Sequence, residues 1–209
     1  KQFGRQLAKV SHAHPLAVFD AIIGQIEAYE NLISPVVEML RWLTPLSFDA
    51  LSFVLLDHLS SGRSRLKEDG LNVSHWLQSL AAFCANLYRR HLGIELVGLL
   101  QYVANALRAG QSTQVLLLRE LMLKMAAVDY VEELSEEQLE AVAGSELLRT
   151  ASIDIPAAAG NKLAKKSAGR LRDTLVSSGL AVPLFVLLGR QRAALCLSTD
   201  SPHLKLVGE

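Results

Sequence analysis

Apolar residues recur along this chain at steps of three and four, the spacing that lines one face of an α-helix. The clearest run is Val18, Phe19, Ile22, Ile23, Ile26 and Tyr29, directly behind His14-Pro15. Proline suits the first helical position, where its missing N–H costs nothing, so a helix opens there. The chain is 50% hydrophobic but only 6% aromatic, and its apolar content is mostly Leu, Ala and Val. Leu and Ala enter a helix at little entropic cost. Gly and Pro number only 13 and 6 in 209 residues, which argues against disorder or an all-β sandwich. No stretch shows the strict alternation of a half-buried strand.

Punctuation residues divide the periodic stretches. Asn31 is read as the cap of a second helix to about residue 43, with Pro35 in its first turn. Thr44-Pro45 breaks the chain, and Ser47 is read as the cap of a third helix to 59, with Leu51, Val54, Leu55 and Leu59 inward. Residues 60–72 read as a long exposed loop. Ser74 opens a helix with Trp76, Leu77, Leu80, Phe83 and Leu87 on one face. Helices are then expected over 95–109, ended by Gly110, and over 114–128. A capping box, Ser135 with Gln138, starts a short helix ending near Gly144, and 145–150 adds a turn or two. Helix returns over 162–178, ended by Gly179, and again over 183–197.

Helices of a dozen or more residues joined by short turns predict an all-α stack of antiparallel hairpins. The expected division is a helical-hairpin domain over 1–150, a flexible linker or loop over 151–166, and a continuing helical segment over 167–209, truncated at its end. The chain does not begin with Met and stops on residues with no helix-ending signal, so an excerpt of a longer polypeptide is expected. No signal peptide is read, because no apolar stretch follows the polar start. The most apolar stretches, such as 180–189, run to about ten residues, far short of a membrane span. Cys84 and Cys196 lie far apart in apolar surroundings, so a reduced, intracellular setting is expected.

The charges balance at 21 basic and 21 acidic residues, so a whole-domain basic footprint for nucleic acid is absent. There is no phosphate-binding loop, dinucleotide glycine motif, HExxH zinc pair, paired CxxC or nucleophile elbow. His12 and His14 lack a ligand set at metal spacing and read as a helix-end pair. His91, behind Arg89-Arg90, reads as helix-end capping. The acidic cluster Glu132, Glu133, Glu136, Glu137 and Glu140 sits at a helix start, where acids are favoured, rather than as a catalytic pair.

Two features read as contact surfaces. The 60–72 loop offers Arg63, Arg65, Lys67 and Asp69. The basic stretch offers Lys165, Lys166, Arg170 and Arg172, and four-residue steps place Lys162, Lys166 and Arg170 on one helical face. Such a stripe suits RNA phosphates, although no aromatic residue is interleaved to stack bases. A solvated helix face is the plainer alternative.

Several blocks resemble a known family. They are His14-Pro15-Leu16 with residues 18–33, Pro35-Val36-Val37-Glu38, residues 43–49, residues 76–81, residues 94–105, Glu137-Gln138-Leu139-Glu140-Ala141 with Gly144, and residues 203–208. In this order they resemble the largest-subunit family of the THO complex, the nuclear mRNA-export assembly, over its middle part. The resemblance implies a non-enzymatic nuclear scaffold without cofactors. Its fold would be a HEAT-like helical stack similar to the middle domain of initiation factor four-gamma. The implied partners are a nuclear DEAD-box ATPase of mRNA export and the other THO subunits, with weak or indirect RNA contact at most and no membrane. An RNA-binding module using the basic stretch is the alternative, and a hydrolase with an unfamiliar site has no motif in its favour.

Overall fold

The computed structural model describes residues 2–70, 72–126 and 162–197. The capping box at Ser135, the acidic cluster, the expected turns over 145–150 and most of the expected linker lie outside them. Lys162–Lys166, at the end of that linker range, are already helical.

Nine α-helices are described. They are α1 (Gln2–Ala13), α2 (Pro15–Ala28), α3 (Ile33–Met39), α4 (Pro45–Ser60), α5 (His75–Arg90), α6 (Val97–Arg108), α7 (Val115–Met125), α8 (Lys162–Ser177) and α9 (Ala181–Leu197). Short 3-10 turns, Glu30–Leu32, Leu40–Trp42 and Ser112–Gln114, flank α3 and lead into α7. No sheet occurs among the described residues; one antiparallel bridge, Leu66 with Val73, pinches the long loop.

The spine is α5, which packs against α2, α3, α7 and α8. The expected face Leu77, Leu80, Phe83 and Leu87 is buried, and so are Ser79, Ala81, Cys84, Ala85 and Tyr88 around the other sides. A helix enclosed in this way needs small residues where neighbours come close, and Ser79, Ala81 and Ala85 provide them. The core runs without interruption from Phe19, Ile23 and Ile26 through Leu51, Leu55 and Leu80 to Leu171, Leu180, Leu184 and Leu187. Thus α8 and α9 share one core with the first seven helices; α8 packs on α5, α6 and α7, and α9 on α6. The arrangement of the described residues is all-helical, as the periodicity predicts, and HEAT-like, as the resemblance implies. No single described helix is long and apolar enough to cross a membrane.

The punctuation is mostly as read. Gly110 and Gly179 hold φ of 81° and 68°, a region that costs other residues steric strain, and they end α6 and α8. Behind Gly179 the chain turns 91° between α8 and α9. Two caps differ. Thr44, not Ser47, caps α4: its Oγ1 accepts from the Ser47 N–H at 3.3 Å, and Pro45 takes the first helical position. Asn31 lies inside a 3-10 turn, and α3 starts without a side-chain cap. Ser74 flanks α5 as expected, but its hydroxyl donates to the Ser64 carbonyl across the loop at 3.0 Å.

Helix α1 carries no cap signal and was not anticipated. Phe3, Leu7 and Val10 do fall at helical steps, one apolar residue per turn. It packs on α2, α3 and the 40–42 turn. Gly4 allows the approach, since a Cβ there would stand 2.6 Å from the Trp42 ring.

Candidate partner-binding surface

The long loop joins α4 to α5 and is tied down by one buried carboxylate. Glu27 of α2 is 9% exposed. Arg63 donates to it twice, Nη1 to Oε2 and Nη2 to Oε1, each at 2.7 Å. Arg63 Nε also donates to Ser61 Oγ at 3.0 Å, and the guanidinium lies 4.2 Å over the Trp76 ring. The Trp76 indole N–H donates to the Ser64 carbonyl at 2.9 Å. His58 of α4 completes the knot, with Nδ1 2.9 Å from Glu27 Oε1 and Nε2 2.9 Å from Asp20 Oδ1. Ionised carboxylates only accept, so this arrangement is met by the imidazolium form of His58, each ring nitrogen donating to one carboxylate. Burial, the largest single influence, opposes that charge, but Asp20 and Glu27 outweigh it and hold the His58 pKa above its ordinary value. Burial likewise opposes the Glu27 charge, yet Arg63 and His58 hold its pKa below the usual carboxylate range.

This knot decides which loop charges are left exposed. Arg63 is committed to the fold. Arg65 is half-buried and makes one long bond, Nη2 to the Leu59 carbonyl at 3.5 Å. Tyr102 donates to the same carbonyl at 2.6 Å and accepts from Gln114 Nε2 at 2.9 Å. Asp69 is exposed, but its carboxylate accepts from the Asn72 N–H and Nδ2 at 3.0 and 2.6 Å, shaping the loop tip. Lys67 is exposed.

The basic stretch divides in the same way. Lys165 and Lys166 are exposed on α8. Arg172 is exposed and pairs at 2.8 Å with Asp173 beside it. Arg170 turns inward, so the expected outward row with Lys166 is broken; the Lys162 side chain lies outside the described residues. Arg170 Nη1 donates to the Tyr88 and His91 carbonyls at 3.0 and 3.2 Å, and Nη2 donates to the Ile94 carbonyl. The reason is general: the last carbonyls of a helix lack intrahelical partners and carry partial negative charge. The His91 ring serves elsewhere than its own helix end, its Nε2 donating to the Val37 carbonyl at 2.8 Å. Burial lowers its pKa.

Two clefts stand out among the described residues. One, of ≈ 520 Å³, is lined mainly by polar residues and lies between the loop and the α6–α7 turn. The other, of ≈ 350 Å³, is apolar and is lined by Phe3, Leu7, Val10, Ile22, Val36 and Met39. No group of three or more metal-ligating side chains occurs among the described residues. Cys84 is fully buried, and burial raises its thiol pKa far from a reactive thiolate.

Glu27, His58 and Trp76 were absent from the expected site. One signal was present: Glu27 stands four residues after Ile23, on the buried face of α2, where an acid requires a partner.

A family model described as a transcription- and export-related complex subunit matches residues 7–81. THO complex subunit 2 of Arabidopsis thaliana is 44% identical across all of this chain, and that of Homo sapiens 43%. The Saccharomyces cerevisiae protein of the same name is 29% identical over 65% of the chain. The chain spans 12%, 13% and 8% of the lengths of these three proteins. It belongs to the THO complex subunit 2 family and matches one segment of these longer relatives.

Proposed function

We propose that this segment is a non-enzymatic scaffold of the nuclear THO/TREX assembly, and that it binds and stimulates the DEAD-box ATPase of mRNA export. The observation that carries the scaffold reading is identity along the full chain to proteins named as subunits of that complex. The nucleus is its compartment by the same relationship.

The ATPase reading rests on the family resemblance, which implies a helical stack like the middle domain of initiation factor four-gamma. An ATPase of this class closes two lobes over RNA and nucleotide. A scaffold changes such an equilibrium only through different affinities for the open and closed states. A body that touches both lobes at fixed spacing supplies that difference, and one continuous core from Phe19 to Leu187 supports fixed spacing. The tethered loop adds to it, since a surface already ordered loses less entropy on binding. Co-elution of the chain with the ATPase in size-exclusion chromatography tests this; separate elution at micromolar concentrations would count against it.

A second reading, direct RNA contact, is favoured by the neighbouring exposed Lys165 and Lys166 on α8. Its signature is affinity for RNA that falls steeply with salt and weakens in the double Lys→Glu variant.

A further inference from the structure

The polar cleft is walled by residues 60–66 on one side and 110–113 on the other. Ser60, Ser61, Ser64, Ser112 and Thr113 bring hydroxyls, Arg63 and Arg65 bring guanidiniums, and no acidic residue lines it. The whole chain carries as many acids as bases, so this composition is a local bias. The Arg63 charge is met by Glu27. The Arg65 charge is not met: among the described residues no carboxylate lies within ion-pair distance of it, and its one side-chain bond is the long contact to Leu59. A half-buried guanidinium with most of its N–H fork unspent is electrostatically incomplete, and a carboxylate is its natural complement.

The cleft offers no aromatic face. Trp76 lies under the Arg63 guanidinium, and its N–H is spent on Ser64. Base stacking, the usual source of affinity for single-stranded nucleic acid, is therefore missing. Ser60 and Ser64 spend their protons on the Asp57 and Leu66 carbonyls and Ser61 accepts from Arg63, so these three offer mainly acceptor capacity, while the Ser112 and Thr113 hydroxyls can both donate and accept, which suits a peptide main chain.

We propose that this cleft binds an acidic peptide segment of a protein partner, with a Glu or Asp side chain paired to Arg65 and the flanking main chain held by the serine and threonine hydroxyls. The proposal goes beyond the ATPase reading and does not depend on it.

Fluorescence anisotropy with the 209-residue chain tests it. The probes are a labelled oligo-glutamate, an uncharged Gly-Ser peptide and an oligo-uridylate. The variants are Arg65→Gln, Ser112→Asp and the α8 pair Lys165→Glu with Lys166→Glu. Ser112 is exposed at the start of the turn into α7, where an acid is compatible with the fold, so Ser112→Asp remains informative if Arg65→Gln unfolds. The expected result is salt-sensitive binding of oligo-glutamate that weakens at least about tenfold in each cleft variant and is unchanged in the α8 pair. The proposal is overturned if oligo-glutamate does not bind, if the cleft variants bind it as well as the parent, if the α8 pair abolishes binding, or if oligo-uridylate binds more tightly.

Discussion

Glu27 is the residue on which the surface depends. It joins α2 to α4 through His58 and to the long loop through Arg63. Glu27→Ala takes from Arg63 its carboxylate and from His58 one of its two, and should cost about 3 kcal/mol, the low end for a broken buried pair because Arg63 is partly open to water and His58 keeps Asp20. Urea unfolding measures this. His58 gives a prediction in pH. A histidine whose pKa is higher folded than unfolded adds stability that is fully present below the unfolded value, about 6.5, and is lost as pH rises through the folded value. An NMR titration should place the His58 midpoint above about 6.5, and His58→Gln should remove that loss of stability. Glu27 acts at the acid end, its contribution disappearing as pH falls through its lowered pKa. At this scale the sequence was least informative. Arg63 and Lys67 stand in one loop with similar neighbours, yet one is tied to a buried acid and the other faces solvent, and the difference is made by a residue on another helix. Arg170 and Lys166 differ for the same reason.

Helices α1 and α8 show what each element adds. α8 is fastened by Arg170 on the carbonyls that follow α5, and by Ser167, whose buried hydroxyl donates to the Met125 carbonyl at 2.7 Å. Arg170→Ala should cost about 2–3 kcal/mol, since it strands several carbonyls, and hydrogen exchange should rise in α8 with little change in α2. Gly110→Ala should cost about 1–2 kcal/mol by forcing a side chain into the left-handed region, measurable as a lower Tm. Boundaries set by local chemistry were legible: Pro15 opened its helix, Gly110 and Gly179 closed theirs, and the inner face of α4 is buried as its spacing says. α1 was missed because its single apolar residue per turn looks weak until Trp42 is seen against Gly4. The α4 cap was misassigned because Thr44 and Ser47 are both good caps, and the adjacent Pro45 decides between them.

At the scale of the whole molecule, one core unites helices that the composition of residues 151–161 seemed to separate. The helical class followed from periodicity and composition, whereas the enclosure of α5 by four neighbours depends on tertiary approach that no local pattern encodes. The proposed role is that of a rigid helper of an ATPase. Its most direct test is steady-state ATP hydrolysis by the nuclear export DEAD-box ATPase with saturating RNA, with and without this chain, and with the exposed charges Lys67, Lys165 and Lys166 reversed. Turnover should be faster with the parent chain, and that gain should be lost in the charge-reversed variant with circular dichroism unchanged. Turnover unaffected by the parent chain, or stimulated equally by the reversed variant, would contradict it.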